Sequence, residues 1–265
     1  MRSAAFRVSL GLAAVLLSAA PAAAQGCRPP RVVVDTVLGM KYCGDPAFDS
    51  AIAGQIQKIR QDVRVARQAG RLVIYASTPI SPRGGGIEKV NIEIAAAVKA
   101  RLEKAFGTGA WVLDPGGYQL PSVGDKAPGG GDYMVMWTRV LAGDDGAGRD
   151  FDMVHFTGPA DMRAFFGCGA EDVTGCLARW LTVRSATDGD IKRVADNPDM
   201  RRTFVRYYAM RASSAYSAGA HDEWNIFLRI NRKRTLGDQI AMFFDGRPLS
   251  PGEMEIEIAP GYEVR

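Results

Sequence analysis

The chain is poor in the groups that most often carry metal and redox chemistry. It has two histidines, His155 and His221, and four cysteines with no C-x-x-C pair among them. Zinc sites draw on closely spaced cysteines and histidines, so no metal is expected. Long apolar runs are missing beyond the first two dozen residues; a bilayer-spanning helix needs about 20 such residues, so no membrane span is expected. Blocks of one charge are missing too. The 33 lysines and arginines exceed the 29 aspartates and glutamates by four and, apart from Arg232 to Arg234, are scattered along the chain, which argues against a nucleic-acid footprint. Neither a P-loop nor a dinucleotide fingerprint occurs, there is no internal repeat, and no cofactor is expected. What remains is 47% hydrophobic and 23% charged, a globular composition that excludes collagen-like, low-complexity and wholly disordered chains.

The first residues point to export. Arg2 and Arg7 are followed by a short apolar run over residues 10–17 and a small-residue stretch in which Ala22 and Ala24 stand at the spacing a signal peptidase reads. Residues 1–24 are therefore expected to be a Sec-type signal peptide cleaved between Ala24 and Gln25, giving a periplasmic or secreted protein. In an oxidising compartment four cysteines argue for disulfides. They form two local pairs, Cys27 with Cys43 and Cys168 with Cys176, and nearest-neighbour pairing is the simplest of the three connectivities open to them.

After a cysteine- and proline-rich arm over residues 25–46, one domain is expected over residues 47–265. Ile52, Ile56, Ile59 and Val63 fall at helical spacing, as do Val90, Ile94, Val98, Leu102 and Phe106. Between and after them lie short apolar runs at 72–76, 111–113, 151–157 and 240–244. Each ends in turn residues and is short enough for a strand buried on both faces. Strands of that kind alternating with helices predict a Rossmann-like, three-layer α/β domain with a mainly parallel sheet. A helical insertion is expected at about 171–215 and a helix from His221 to Arg232. Residues 133–141 fit strand or helix equally, and residues 254–258 alternate.

Ligands of open parallel sheets sit beyond the carboxyl ends of the strands. One segment there combines Ser77, Thr78, Ser81, Arg83, Gly84, Gly85 and Gly86. Its hydroxyls, guanidinium and glycines suit a small ligand with an anionic or hydroxylated end. A second runs from Ser217 and Gly219 to His221, Asp222 and Glu223, which would put three ionisable groups in the first turn of a helix; Ser217 or Asp222 capping that helix is the simpler account. A third holds His155, expected to be packed in the core, and Asp161, expected to cap a helix.

The run Ile74-Tyr75-Ala76-Ser77-Thr78-Pro79, the later Asn91 and the strand ending Leu113-Asp114-Pro115 resemble the opening of the nucleoside 2-deoxyribosyltransferase-like superfamily. Ser217, Gly219 and Glu223 match that superfamily's S-x-G-x-x-x-E element. The resemblance implies a Rossmann-like sheet, cleavage or transfer at an N-glycosidic bond, and Glu223 as nucleophile. The chemistry independently asks for a carboxylate beneath the anomeric carbon and an acid for the leaving base. Asp222 or His221 is placed in the second role, with Ser77, Ser81, Arg83, Gly84, Gly85, Gly86, Ser217 and Gly219 binding substrate. Two alternatives stand beside this reading: a phosphate-ester hydrolase that uses His221 directly, and a non-catalytic binding or structural protein of the cell envelope.

Overall fold

A computed structural model describes residues 26–264; the expected signal peptide lies outside the described residues. The chain begins with a hairpin of β1 (Val32–Asp35) and β2 (Lys41–Gly44), followed by α1 (Asp49–Gln68), β3 (Leu72–Ser77), α2 (Glu88–Phe106), β4 (Ala110–Leu113), α3 (Gly130–Ala142) and β5 (Met153–Phe156). Then come α4 (Pro159–Phe166), α5 (Val173–Ser185), α6 (Gly189–Asp196), α7 (Pro198–Met210), α8 (Ala218–Asn231), β6 (Ala241–Phe244) and β7 (Arg247–Pro248). The main sheet has the order β4-β3-β5-β6-β7, parallel except where β7 turns back antiparallel on β6. The fold is the expected three-layer α/β arrangement.

The period of two in β3 explains the layers. Val73 and Tyr75 face a core built with Ile52, Ile56 and Ile59 of α1, Met134 and Trp137 of α3, and Phe227 and Ile230 of α8. Ile74 and Ala76 face a second core with Val90, Ile94 and Val98 of α2, Phe166 of α4, and Leu177, Leu181 and Phe204 of the inserted helices. Val73 through Ala76 are all fully buried, which is why these strands read as continuous apolar runs rather than as alternating ones.

The insertion over α5, α6 and α7 carries its own aromatic cluster, in which Trp180 stacks on Phe204 at 5.8 Å and Phe166 meets Trp180 edge-on at 4.9 Å. Cys168–Cys176 ties its entry loop to α5, and Cys27–Cys43 ties the residues before the hairpin to β2. Both pairings are those expected. They are consistent with an extracellular or periplasmic location. Among the described residues no helix is long and apolar enough to cross a membrane.

Several elements settle what the sequence left open or differ from its expectation. Residues 133–141 lie in a helix, entered through the Asp132 carboxylate, which accepts from the Gly129 amide at 2.7 Å. Strand β2, hidden among cysteine and glycine, pairs with β1 and sends Tyr42 into the core together with Met40 before it. Residues 254–258 form no strand despite their alternation. They run along α8, where helix side chains satisfy their backbone. Helix α8 starts at Ala218 rather than His221, because Ser217 caps it by accepting from the Ala220 amide.

Candidate functional site

That earlier start moves His221, Asp222 and Glu223 out of the first turn, which holds no acidic residue. A helix rotates by about 100° per residue, so the three neighbours face different partners. Glu223 shares the buried stripe of Phe227 and Ile230, four and seven residues on, and points at the sheet. There the Tyr75 hydroxyl donates to one carboxylate oxygen at 2.7 Å and the Ser77 hydroxyl to the other at 2.6 Å. Tyr75 and Ser77 are two apart on β3 and so share a face. The Tyr75 ring is itself fixed among Trp137, Phe151 and Phe227, with centroids 5.4 to 6.3 Å away.

Glu223 is 7% exposed. Burial pushes its carboxyl from an ordinary 4.5 up to about 7, against the pull of the two hydroxyl donors and with a smaller upward push from the Asp222 charge. The same burial, reinforced by Glu223, drives the Tyr75 hydroxyl well above the usual phenol range, so it stays a donor.

Asp222 and His221 serve the C-terminal segment instead. The Asp222 carboxylate accepts from the Gly261 and Tyr262 amides at 2.9 and 2.7 Å. Burial raises its pKa, and those backbone donors oppose the rise. Each ring nitrogen of His221 faces a carbonyl oxygen, Ala259 at 3.0 Å and Ala215 at 2.9 Å. Trp224 donates to the Ile256 carbonyl, and Asn225 exchanges two 3.0 Å bonds with Ile258. The histidine and tryptophan of this helix are thus accounted for by backbone carbonyls, those of Ile256 and Ala259 in the C-terminal segment and that of Ala215 before the helix.

The loop after β3 is held from below. Asn91 donates to the carbonyls of Ile80 and Ser81 and accepts from the Tyr208 hydroxyl at 2.8 Å. Gly85 has φ +116° and packs on Thr203, and a Cβ at Gly86 would lie 2.7 Å from the Tyr207 ring. The glycines therefore let the loop settle on α7. Ser81, Arg83 and Gly84 are exposed on the outer side of this loop. Arg83 lies 5.6 Å from the centre of the Tyr262 ring, with one guanidinium nitrogen donating to the Tyr262 hydroxyl at 3.3 Å. It makes no ion pair among the described residues. Ser217 is spent on capping, and a Cβ at Gly219 would meet only Met134, at an ordinary 3.9 Å.

The strand order places this constellation. From β3 the chain crosses to β4 on one side and returns to β5 on the other, so the crevice between β3 and β5 is the switch point at which open α/β sheets bind ligands. Ser77 ends β3 there. Thr78 and Thr157 meet hydroxyl to hydroxyl at 2.7 Å, and Ser214 bonds to the Thr157 and Ser77 carbonyls, 2.9 Å each. The roles of Tyr75, Thr157 and Ser214 were missed by sequence reasoning. Only for Tyr75 was there a signal, its two-residue spacing from Ser77 within the strand.

His155 and Asp161 form a separate buried pair at 2.9 Å, with Arg101 on the other carboxylate oxygen. Burial and the Arg101 charge push the His155 imidazole well below its usual range and keep it neutral. Asp161 accepts from the Gly158 amide at the start of α4, a capping role as expected. Two clefts lie at the cysteine loop, one lined by Met162, Phe166 and Leu177 and the other by Gly167, Glu171 and Arg179; neither is lined by Glu223. Among the described residues no group of three or more His, Cys, Asp or Glu side chains is placed to hold a metal ion. Comparison of the chain with protein-family models, with curated proteins and with solved structures finds no match.

Proposed function

We propose that the protein is an exported enzyme that cleaves or transfers at the N-glycosidic bond of a nucleoside-like or other small glycoside, with Glu223 as nucleophile. The observation that carries this reading is the Glu223 carboxylate at the switch point, gripped on both oxygens by Tyr75 and Ser77 and titrating near 7. A carboxylate held rigidly in a dry site is what an oxocarbenium-like transition state calls for.

In the first step a Glu223 oxygen bonds to the anomeric carbon as the carbon–nitrogen bond breaks. The bonding pair leaves on the base nitrogen, which takes up a proton. In the second step water or another acceptor attacks the same carbon and restores the carboxylate. The outward face of the loop, with Ser81, Arg83 and Gly84, binds the anionic or hydroxylated end of the substrate. Of the two residues assigned by sequence to protonate the base, Asp222 has both carboxylate oxygens bonded to the C-terminal segment, and His221 has one ring nitrogen on that segment and the other on the Ala215 carbonyl. Delivery of a proton from Asp222 requires that segment to move, and delivery from His221 requires the loss of one of its two carbonyl contacts. The phosphate-ester reading needs a free His221 ring in the resting protein and is the less supported. Residues 1–24 are assigned to a signal peptide in the same proposal.

The test is release of free base from a panel of nucleosides and related N-glycosides. The wild type is expected to turn over at least one of them, and Glu223→Gln to lose about a thousand-fold or more in kcat with the fold intact. Undiminished turnover by Glu223→Gln, or no release from any member of the panel by the wild type, overturns the reading.

A further inference from the structure

Glu223 is 7% exposed in the resting protein, and a group that reacts with a ligand has to be reached by it. Strand β3 and helix α8 hold the carboxylate between them, the C-terminal segment runs along α8 beside it, and the three differ in how firmly they are held. Strand β3 is locked between two parallel neighbours, with Val73 through Ser77 at 0% exposure. Helix α8 carries Ile226, Phe227, Leu228 and Ile230 in the main core at 0% exposure. The C-terminal segment is different, because no residue from 256 to 264 is buried. Over residues 256–262 it is held by side chains of α8 bonded to its backbone, Trp224 to Ile256, Asn225 to Ile258, His221 to Ala259, and Asp222 to Gly261 and Tyr262, and by ion pairs of Glu257 with Arg229 and Arg232, while Glu263 and Val264 beyond it pair with β2. Segments with few buried apolar contacts are those that open at least cost.

The segment also reaches across the site. Tyr262 is tied through its amide to Asp222, next to Glu223 in α8. Its ring packs on Gly130 at the start of α3, and its hydroxyl accepts from Arg83 on the loop that follows β3. One side chain thus bridges the helix that carries the reacting carboxylate and the loop assigned to the ligand. Gly261 makes the close approach possible, because a Cβ there would overlap the Ala218 backbone.

We propose that residues 256–262 are the gate of the Glu223 site, a strap lashed to α8 and latched by Tyr262 on Arg83, which lifts to admit a ligand. The proposal rests on Glu223 being the reacting group. Lifting the strap also releases the Asp222 carboxylate and one ring nitrogen of His221, the two groups assigned to protonate a leaving base, while the other His221 nitrogen keeps its contact with the Ala215 carbonyl.

The test reads access rather than turnover. Wild-type protein is treated with a water-soluble carbodiimide and glycine ethyl ester near neutral pH, and amide formation at each carboxyl is followed by peptide mass mapping. Glu223 is expected to label slowly in the wild type, at a similar rate in Tyr262→Phe, which keeps the ring over Gly130 and Arg83, and more than ten-fold faster in Tyr262→Ala. Asp161, 2% exposed in the opposite layer, reports the fold and should stay protected throughout. Arg83→Gln, a change at an exposed position, should accelerate Glu223 labelling in the same direction even if Tyr262→Ala fails to fold. Labelling at the wild-type rate in both Tyr262→Ala and Arg83→Gln overturns the gate, as does acceleration at Glu223 and Asp161 together. None of these outcomes depends on base release, so a failed gate and a failed glycosidic reading are told apart.

Discussion

The Ser77 hydroxyl donates to the Glu223 carboxylate at 2.6 Å across 146 residues of sequence. With Tyr75 on the other oxygen, the pair joins the end of β3 to the second turn of α8. Both donors favour the ionised carboxylate, and burial opposes them and prevails. The outcome is a group poised at neutral pH, and it sets two measurable dependences.

The first concerns stability. Folded Glu223 holds its proton up to about 7, compared with an ordinary 4.5. A carboxyl with a raised folded pKa contributes stability that is fully present below its unfolded pKa and is lost as pH rises through the folded one. The difference amounts to about 3 kcal/mol. Urea denaturation at pH 5 and pH 8 should therefore show Glu223→Gln gaining on the wild type by roughly that amount as pH rises. Parallel behaviour of the two proteins would contradict a buried, titrating Glu223.

The second concerns Tyr75. Tyr75→Phe keeps the ring among Trp137, Phe151 and Phe227 and removes one donor to the carboxylate. Loss of a hydrogen bond to the charged form raises the pKa of Glu223, so its midpoint, followed by carbon NMR of the labelled side chain, should move upward from about 7. The ascending limb of kcat/KM against pH should move with it. The stability cost should be about 1 kcal/mol.

Gly85→Ala tests the seat of the loop. Gly85 has φ +116°, and a Cβ there runs into the Thr203 side chain, so the expected cost is about 1 to 3 kcal/mol from strain and overpacking. Thermal unfolding measures it. Gly84→Ala, whose Cβ would only touch the Tyr207 ring at 3.6 Å, meets the strain of φ +88° without that collision and should cost less.

The disulfides should differ modestly. Cys27 and Cys43 are 16 residues apart, Cys168 and Cys176 only 8. Loop-closure entropy gives about 3 kcal/mol for the longer loop and about half a kcal/mol less for the shorter. Paired Cys→Ser replacements, compared by denaturant midpoint, should follow that order.

Much of this arrangement was written locally. Short apolar runs bounded by turn residues marked β3, β4, β5 and β6, and helical spacing marked α1 and α2, because burial on one or two faces imposes a period on the sequence. Ser77 and Glu223 were both picked out before the structure joined them, and the four-residue step from Glu223 to Phe227 already put the carboxylate on an apolar stripe. The partition of His221, Asp222 and Glu223 was not legible. It depends on where α8 starts, which Ser217 decides from beyond the apolar pattern, and on a remote segment whose backbone is the partner of His221 and Asp222. Side-chain bonds to distant backbone leave no periodicity behind. Tyr262 was invisible for the same reason, and the alternation at residues 254–258 makes no strand because the neighbour along which that stretch runs is a helix.

Loop and carboxylate stand on different foundations. Glu223 takes its position from β3 and α8 in the layer that includes α1 and α3, whereas residues 84–86 rest on Thr203 and Tyr207 of the inserted helices in the opposite layer. On the proposed reading, recognition and reaction fall to separate modules of one chain. Substitutions in α7 would then reshape the rim without disturbing Tyr75, Ser77 or Glu223, which makes the inserted block the place where ligand preference would be tuned.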